Sequence, residues 1–183
     1  LGTNGEVKAV AGNVILDAAQ NITIGFKTEQ AKADDPTTQA GPNGENKDKY
    51  ERNDEREYFI NTSTLNQRAA EISGSNITLI SGSGKTISMS AVNNLTASDA
   101  VNFETAEMDF AGGTITANKI SASGQLNVTG GSLSSTSGGS LTISGAEGLT
   151  LGAGAGISTD KDLTITSEKG SILNNAVLMA NNG

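Results

Sequence analysis

Three observations predict an all-β fold, a β-solenoid, for this chain. An apolar–polar–apolar unit recurs, as in Leu141-Thr142-Ile143 and Leu163-Thr164-Ile165, and this alternation places both apolar side chains on one face of a strand. Short segments of Gly, Ser, Ala and Asp separate the units. Aromatic residues are 3% of the chain and Trp is absent, so aliphatic side chains must fill a narrow interior. Strands this short are stable only when each pairs with its counterpart in the next copy.

The spacing of the units sets the length of one coil. Leu95 and Ile115 are 20 residues apart, Ile120 and Leu141 are 21 apart, and Leu141 and Leu163 are 22 apart. We therefore expect coils of roughly 20–22 residues with two or three strands each. Apolar residues do not recur at helical spacing, and Gly and β-branched residues are dense, so a helical fold is excluded.

The first 24 residues hold one coil and a little more. Leu16 and Ile24 are eight residues apart and end two apolar strand patterns. A corner at Gln20-Asn21 separates those patterns. The corner residues Gly12 and Asn13 tolerate the positive φ that tight turns need.

Residues 25–67 break the rhythm and are predicted to form a charged insertion that leaves the solenoid at one corner. Lys27 to Glu57 carry nine acidic and six basic residues, and both prolines and both tyrosines lie in the insertion. Ile24-Gly25-Phe26 and Tyr58-Phe59-Ile60 could pair as a hairpin at its base. Lys47–Arg56 could instead form a turn or two of weak helix. Three aromatic residues interleaved with charge are the candidate contacts for a partner, namely Tyr50, Tyr58 and Phe59.

Residues 68–183 return to the strand pattern and are predicted to complete a single solenoid of five or six further coils. Its interior is predicted to be a stack of apolar side chains that face one shared core. The core positions are Leu16, Ile24, Ile77, Leu79, Leu141, Ile143, Leu149, Leu151, Leu163 and Ile165.

Two segments carry the resemblance of this chain to a known family. Gly12–Ile24 reads Gly-Asn-Val-Ile-Leu-Asp-Ala-Ala-Gln-Asn-Ile-Thr-Ile, and Ala70–Gly82 follows the charged insertion as Ala-Glu-Ile-Ser-Gly-Ser-Asn-Ile-Thr-Leu-Ile-Ser-Gly. This arrangement resembles the haemagglutinin repeats of filamentous-haemagglutinin-type exoproteins of Gram-negative bacteria, and in particular the second repeat region of contact-dependent growth inhibition toxins. The match to adhesin members is nearly as good.

The resemblance implies a right-handed parallel β-helix that belongs to a longer exoprotein. It further implies two-partner secretion, in which an outer-membrane partner transporter exports the chain, and display at the cell surface. There it would meet a receptor or the outer membrane of a neighbouring cell. The toxic activity of such proteins lies in a separate C-terminal domain, which nothing in this chain resembles.

Composition excludes several classes of function. The formal net charge of −8 argues against nucleic acid as a partner and against anionic membrane surfaces. No His or Cys is present, which excludes His-based triads, His metal sites, thiolate sites and disulfides. We expect no enzyme activity, cofactor or metal. The nonapeptide that binds calcium in β-solenoids is absent.

Two glycine-rich segments could be interpreted as nucleotide-binding loops. Gly82-Ser83-Gly84-Lys85-Thr86 lacks the earlier glycine of a phosphate loop, and a strand pattern rather than a helix follows it, so we interpret it as a solenoid corner. Gly152–Gly156 lacks dinucleotide-binding spacing, and we interpret it as a tight turn.

Paired carboxylates leave one enzymatic alternative, because some β-helix proteins cleave polysaccharides with acidic side chains. Glu107 and Asp109 flank Met108 and should both point outward. A solvated face that blocks edge pairing explains these charges without catalysis. The candidate carboxylates are Asp99, Glu104, Glu107, Asp109, Asp160 and Asp162.

Five Asn-x-Ser/Thr triplets match the pattern of glycosylation acceptors. Four of them are explained by a corner Asn followed by an inward apolar residue and an outward Thr. Such corner asparagines are expected to form hydrogen-bonded ladders along the solenoid. The triplets begin at Asn21, Asn61, Asn76, Asn94 and Asn127.

Three functions thus follow from the sequence. The first is a structural segment that spaces or carries an adhesive or toxic domain. The second is a binding module that recognises a cell-surface partner through residues 27–57. The third is a polysaccharide-active enzyme.

Overall fold

A computed structural model of the chain describes residues 6–24, 70–90 and 93–182. Within these ranges the secondary structure consists of strands, with no helix, and the predicted all-β class is confirmed. No segment of the described residues is a helix long and apolar enough to cross a membrane. The strands are β1 (Glu6–Lys8), β2 (Val14–Asp17), β3 (Ile22–Ile24), β4 (Ala70–Ile80), β5 (Thr86–Met89), β6 (Asn93–Glu104), β7 (Glu107–Phe110), β8 (Thr114–Thr116), β9 (Lys119–Ala122), β10 (Gln125–Ser134), β11 (Leu141–Gly145), β12 (Gly148–Thr159), β13 (Leu163–Ser167), β14 (Ile172–Asn174) and β15 (Val177–Ala180).

The strands stack in three columns, and every pairing between neighbouring coils is parallel. The first column contains β1, the first halves of β4 and β6, β8, the second halves of β10 and β12, and β15. The second contains β2, the second halves of β4 and β6, β9, β11 and β13. The third contains β3, β5, β7, the first halves of β10 and β12, and β14. This arrangement is a β-solenoid with about five turns.

The register confirms part of the predicted repeat and corrects the rest. Leu95 pairs with Ile115 and Leu141 pairs with Leu163, as their spacing predicts. The predicted match of Ile120 with Leu141 is wrong, because Ile120 pairs with Ile143. Coil length is also less regular than 20–22 residues: the step is 18 from Ile115 to its partner Leu133 and 24 from Leu133 to Ile157. Corners of different length absorb part of the difference, and register shifts within the β4–β6 and β10–β12 pairs absorb the rest.

Inward residues of the middle coils are almost completely removed from solvent. Seven of the predicted core residues are fully buried, namely Ile24, Ile77, Leu79, Leu141, Ile143, Leu149 and Leu151. The other three, Leu16, Leu163 and Ile165, pack against the core but are only partly buried. These three lie in the first and last described coils, although Ile24 in the first coil is fully buried. Phe103 and Phe110 are the largest fully buried side chains.

The last described coil leaves inward-pattern residues in solvent. Ile172 is 46% exposed and Leu178 is 38% exposed, although their partners Leu149 and Ile157 are fully buried. These strands have a partner on one side only within the part of the chain that the structure describes. Burial therefore falls sharply from the middle of the stack to this end.

All the described residues belong to one compact unit, whose bounds are residues 1–26 and 67–183. The predicted hairpin at residues 24–26 and 58–60 and the weak helix at 47–56 involve residues outside the described ranges. The insertion therefore stays a prediction.

Candidate functional site

The third column presents a hydrogen-bonded cluster of acidic and amide side chains on its outer side. Met108 and Phe110 of β7 point inward and are fully buried, so Glu107 and Asp109, which alternate with them along the strand, point outward, as predicted. In the next coil Leu126 and Val128 take the inward positions. Parallel in-register pairing then sets Gln125 against Glu107 and Asn127 against Asp109.

Asn127 joins the two carboxylates. Its Nδ2 donates to Glu107 Oε1 at 2.7 Å and to Asp109 Oδ1 at 2.9 Å. Its Oδ1 accepts a hydrogen bond from Gln125 Nε2 at 3.1 Å, and the same Nε2 lies 3.4 Å from Thr150 Oγ1 in the following coil. The cluster thus spans three successive coils, and we call these five residues the acid–amide cluster.

The hydrogen bonds of the acid–amide cluster connect the outer side chains of successive coils and so stabilise the stack. Two carboxylates on one strand repel each other, and an amide N–H₂ that donates to both offsets that repulsion. Hydrogen bonds to charged acceptors are also stronger than neutral ones. The cluster contains two carboxylates, and no group of three or more His, Cys, Asp or Glu side chains that could hold a metal occurs among the described residues.

The other predicted carboxylates are not brought into this cluster. Asp160 Oδ2 accepts from the backbone N–H of Gly138 at 2.6 Å, and Asp162 Oδ2 lies 3.5 Å from Ser140 Oγ. These contacts link a turn of one coil to the corner of the next. Asp99 and Glu104 are exposed at other points of the third coil. The six candidate carboxylates are therefore distributed over several corners and faces.

The phosphate-loop segment is a corner, as predicted. Residues 81–85 connect β4 to β5, the Lys85 N–H donates to the Gly82 carbonyl at 2.9 Å, and Gly84 has a φ of 67°. Thr86 begins strand β5, so no helix follows to bind a phosphate.

The prediction of a tight turn at Gly152–Gly156 is wrong. These residues lie inside the continuous strand β12, at the bend where the chain passes from the third column to the first. The register against β10 shifts between Val128 and Gly130. Glycine is required here because the bend brings the two backbones close together: a Cβ on Gly154 would lie 2.7 Å from the Thr129 carbonyl oxygen.

Asparagines at two corners bond from coil to coil, as predicted, but Asn127, also predicted at a corner, lies inside strand β10. Asn76 Nδ2 donates to Asn13 Oδ1 at 3.0 Å, and Asn21 Oδ1 accepts from the Thr86 N–H at 3.0 Å. The side-chain nitrogens of Asn76 and Asn127, to which a sugar would be attached, are donors in these inter-coil bonds. Asn61 lies outside the described residues.

The candidate partner contacts Tyr50, Tyr58 and Phe59 also lie outside the described residues. Comparison with known proteins adds no identification: no family model, no curated protein and no solved structure matches the chain.

Sequence reasoning missed two groups of polar residues in the interior. Asn93 is fully buried, and Thr105 is 7% exposed. Thr105 Oγ1 lies 2.9 Å from both the Lys85 and the Glu107 carbonyl oxygens, to one of which its single O–H donates, and it accepts from Ser81 Oγ at 2.8 Å. A signal for Asn93 was present: it stands two residues before Leu95, so period two places it on the inward face.

Proposed function

We propose that this chain is a structural β-helical segment of a large secreted Gram-negative exoprotein of the filamentous-haemagglutinin type. It serves as a stalk or delivery region of an adhesin or of a contact-dependent inhibition toxin. An outer-membrane partner transporter exports it, and it is displayed outside the outer membrane, where its parent meets a receptor or a neighbouring cell.

The observation that carries this proposal is the three-column ladder that the described residues form between Ala70 and Ala180. Each coil contacts mainly the coils before and after it, so the fold can be extended by adding coils and the stack acts as a spacer. The polar groups of the described residues are used in the same ladder. No buried side-chain nitrogen or oxygen among them lacks a hydrogen-bond partner.

The enzymatic alternative finds less support. Glu107 and Asp109 are engaged by one amide nitrogen, and the cluster repeats the side-by-side pairing seen along the rest of the solenoid. A polysaccharide-cleaving site needs an acid and a second carboxylate that are placed on either side of a substrate bond. These two carboxylates lie on one strand and bond to the same neighbour.

Export and display test the proposal directly. The segment is joined to a two-partner secretion signal and expressed with the matching transporter, and antibody labelling of intact cells measures display. We expect surface labelling of the wild-type segment and of the double variant E107Q/D109N. Retention of the wild-type segment inside the cell, while a known exoprotein fragment is displayed, would contradict the proposal. Loss of a glycan-cleaving activity in the double variant would instead favour the enzyme.

The binding alternative stays a prediction, because residues 27–57 lie outside the described ranges. The observation in its favour is the sequence itself, in which Lys27 to Glu57 carry nine acidic and six basic residues. Deleting residues 27–57 is expected to abolish attachment to target cells while the far-UV circular dichroism of the solenoid is retained. Equal attachment of the deleted and complete chains would dismiss this alternative.

A further inference from the structure

The side chain of Asn93 lies beside the two described residues that border residues 25–69. Ile24 is the last described residue before the gap in the described ranges, and Ala70 is the first after it. Both are fully buried, and so is Asn93. Ala70 pairs with Asn93 in the parallel register of β4 and β6.

The amide of Asn93 bonds to both of these ends. Its Nδ2 donates to the Ile24 carbonyl at 3.3 Å and to the Ser90 carbonyl at 2.6 Å. Its Oδ1 accepts from the Ala70 N–H at 3.3 Å. The Ser90 N–H donates to the same Ile24 carbonyl at 3.0 Å. One side chain thus connects two backbone positions that are separated by 46 residues of sequence.

The other coils show that this corner does not need an asparagine. Pairing along the first column places Gly113, Gly131 and Ala155 at the positions equivalent to Asn93. Those coils make the same passage from the third column to the first with a glycine or an alanine. The polar side chain occurs in the coil that follows residues 25–69, and its hydrogen-bond groups are directed at the two ends of that segment.

We infer that Asn93 is a clasp that fixes both attachment points of the segment formed by residues 25–69. A buried amide with three bonds to the backbone is costly to disturb, because removing it leaves backbone groups without a partner in a dry interior. Ile24 and Ala70, the described residues that border this segment, are therefore held at a set position within the solenoid. This role does not depend on the proposed function.

Amide hydrogen exchange of the full chain tests the clasp. The variant N93A places an alanine at this corner, as the equivalent corner at Ala155 has naturally, so the corner itself should still form. We expect exchange at the Ala70 amide to become about ten-fold faster or more, since its N–H loses the Asn93 Oδ1 acceptor and this loss costs at least about 1.4 kcal/mol of local opening free energy. The Leu149 amide, which donates to the Ser171 carbonyl in a distant coil, should be unchanged.

Two further variants separate the clasp from general packing. N93D keeps an acceptor for the Ala70 N–H but loses the donor to the Ile24 and Ser90 carbonyls, so exchange at Ala70 should stay closer to that of the wild type than it does in N93A. T105V removes buried hydrogen bonds at a different corner of the same coil and should leave the Ala70 amide unchanged. Unchanged exchange at Ala70 in N93A, or an equal loss of protection throughout residues 93–110, would overturn the inference.

Discussion

A substitution on the inward face of strand β11 is expected to cost more stability than one on its outward face. Ile143 is fully buried, whereas its neighbour Thr142 points outward beside Lys119 and Thr164. Burying an apolar side chain stabilises the fold, and an unpaired charge placed in the same position cannot be solvated.

Ile143→Asp is accordingly expected to lower the free energy of unfolding by at least about 4 kcal/mol. Thr142→Asp is the matched control, because its carboxylate stays in solvent next to Lys119, and it should change stability by less than about 0.5 kcal/mol. Chemical denaturation followed by circular dichroism measures both. Equal effects of the two substitutions would show that the faces are wrongly assigned.

Asn127 provides a second prediction at the scale of single residues. Asn127→Asp removes the donor that bridges Glu107 and Asp109 and adds a third carboxylate beside them. We expect a loss of about 1–3 kcal/mol in unfolding free energy, and this loss should shrink at high salt.

Asn102→Asp is the control for that prediction. Asn102 Oδ1 accepts from Ser121 Oγ at 2.8 Å, a bond that an aspartate retains, and its partners in neighbouring coils are Thr78 and Ser121. A smaller loss than for Asn127→Asp is expected. A salt-independent loss of the same size at both positions would contradict the proposed role of Asn127.

An exposed ion pair supplies a pH dependence. Lys169 Nζ lies 2.7 Å from Glu147 Oε1 in the preceding coil. The hydrogen bond to Glu147 and its negative charge raise the pKa of Lys169 above the usual 10.5. Since the pKa is raised on folding, the contribution of this pair is present below pH 10.5 and is lost as the pH rises through the folded-state pKa.

Nuclear magnetic resonance titration of the Lys169 side chain should therefore give a midpoint above 10.5. In the variant Glu147→Gln the midpoint should move down towards 10.5, because the charge and the charged acceptor are both lost. An identical midpoint in the two proteins would show that the pair does not form in solution.

At the scale of the elements, the corners decide how the strands are placed. Gly113 and Gly138 both have positive φ, 91° and 70° respectively. A Cβ at Gly113 would collide with the backbone carbonyl of Asn93, whereas a Cβ at Gly138 meets nothing within 4 Å. The two glycines thus separate backbone strain from steric collision.

Gly138→Ala should cost about 1–2 kcal/mol of stability, the strain of a left-handed conformation alone. Gly113→Ala should cost clearly more, because the coil containing Asn93 must also shift. Thermal unfolding of the two variants measures the difference. A Gly113 variant as stable as the Gly138 variant would contradict the close approach of these coils.

The strands were predictable from sequence and the corners were not. Period-two alternation identifies the inward residues directly, as for Leu149 and Leu151. Coil length depends on the number of residues in each corner, and the spacing of apolar residues does not give that number. For this reason the spacing predicts Leu141 as the partner of Ile120, whereas the partner is Ile143. The acid–amide cluster was half predictable: the outward carboxylates follow from alternation, but their link to Asn127 requires the register between coils.

At the scale of the whole molecule, burial varies along the axis of the stack. Leu133 in the first column is fully buried, whereas Leu178 in the last strand of that column is 38% exposed. Each coil is stabilised by contact with its neighbours. In a coil with one neighbour, the same apolar side chain therefore buries less surface and contributes less stability.

Leu133→Ala is expected to lower the free energy of unfolding by about 2–5 kcal/mol. Leu178→Ala should cost less than about 1 kcal/mol, because much of its side chain already meets water in the folded state. Denaturant unfolding measures both. Equal losses would show that the end of the stack is as well packed as its middle.

The parallel stacking of coils is most directly tested by a cysteine pair, since the natural chain contains no cysteine. Thr116 Oγ1 and Ser134 Oγ lie 3.2 Å apart on neighbouring coils, and their residues are direct partners in the register. The double variant T116C/S134C should form an intramolecular disulfide under mild oxidation, with loss of both free thiols. T116C/S144C, which places the second cysteine in the second column, should keep both thiols free. A failure of the first pair to close, or equally rapid closure of the second, would contradict the solenoid.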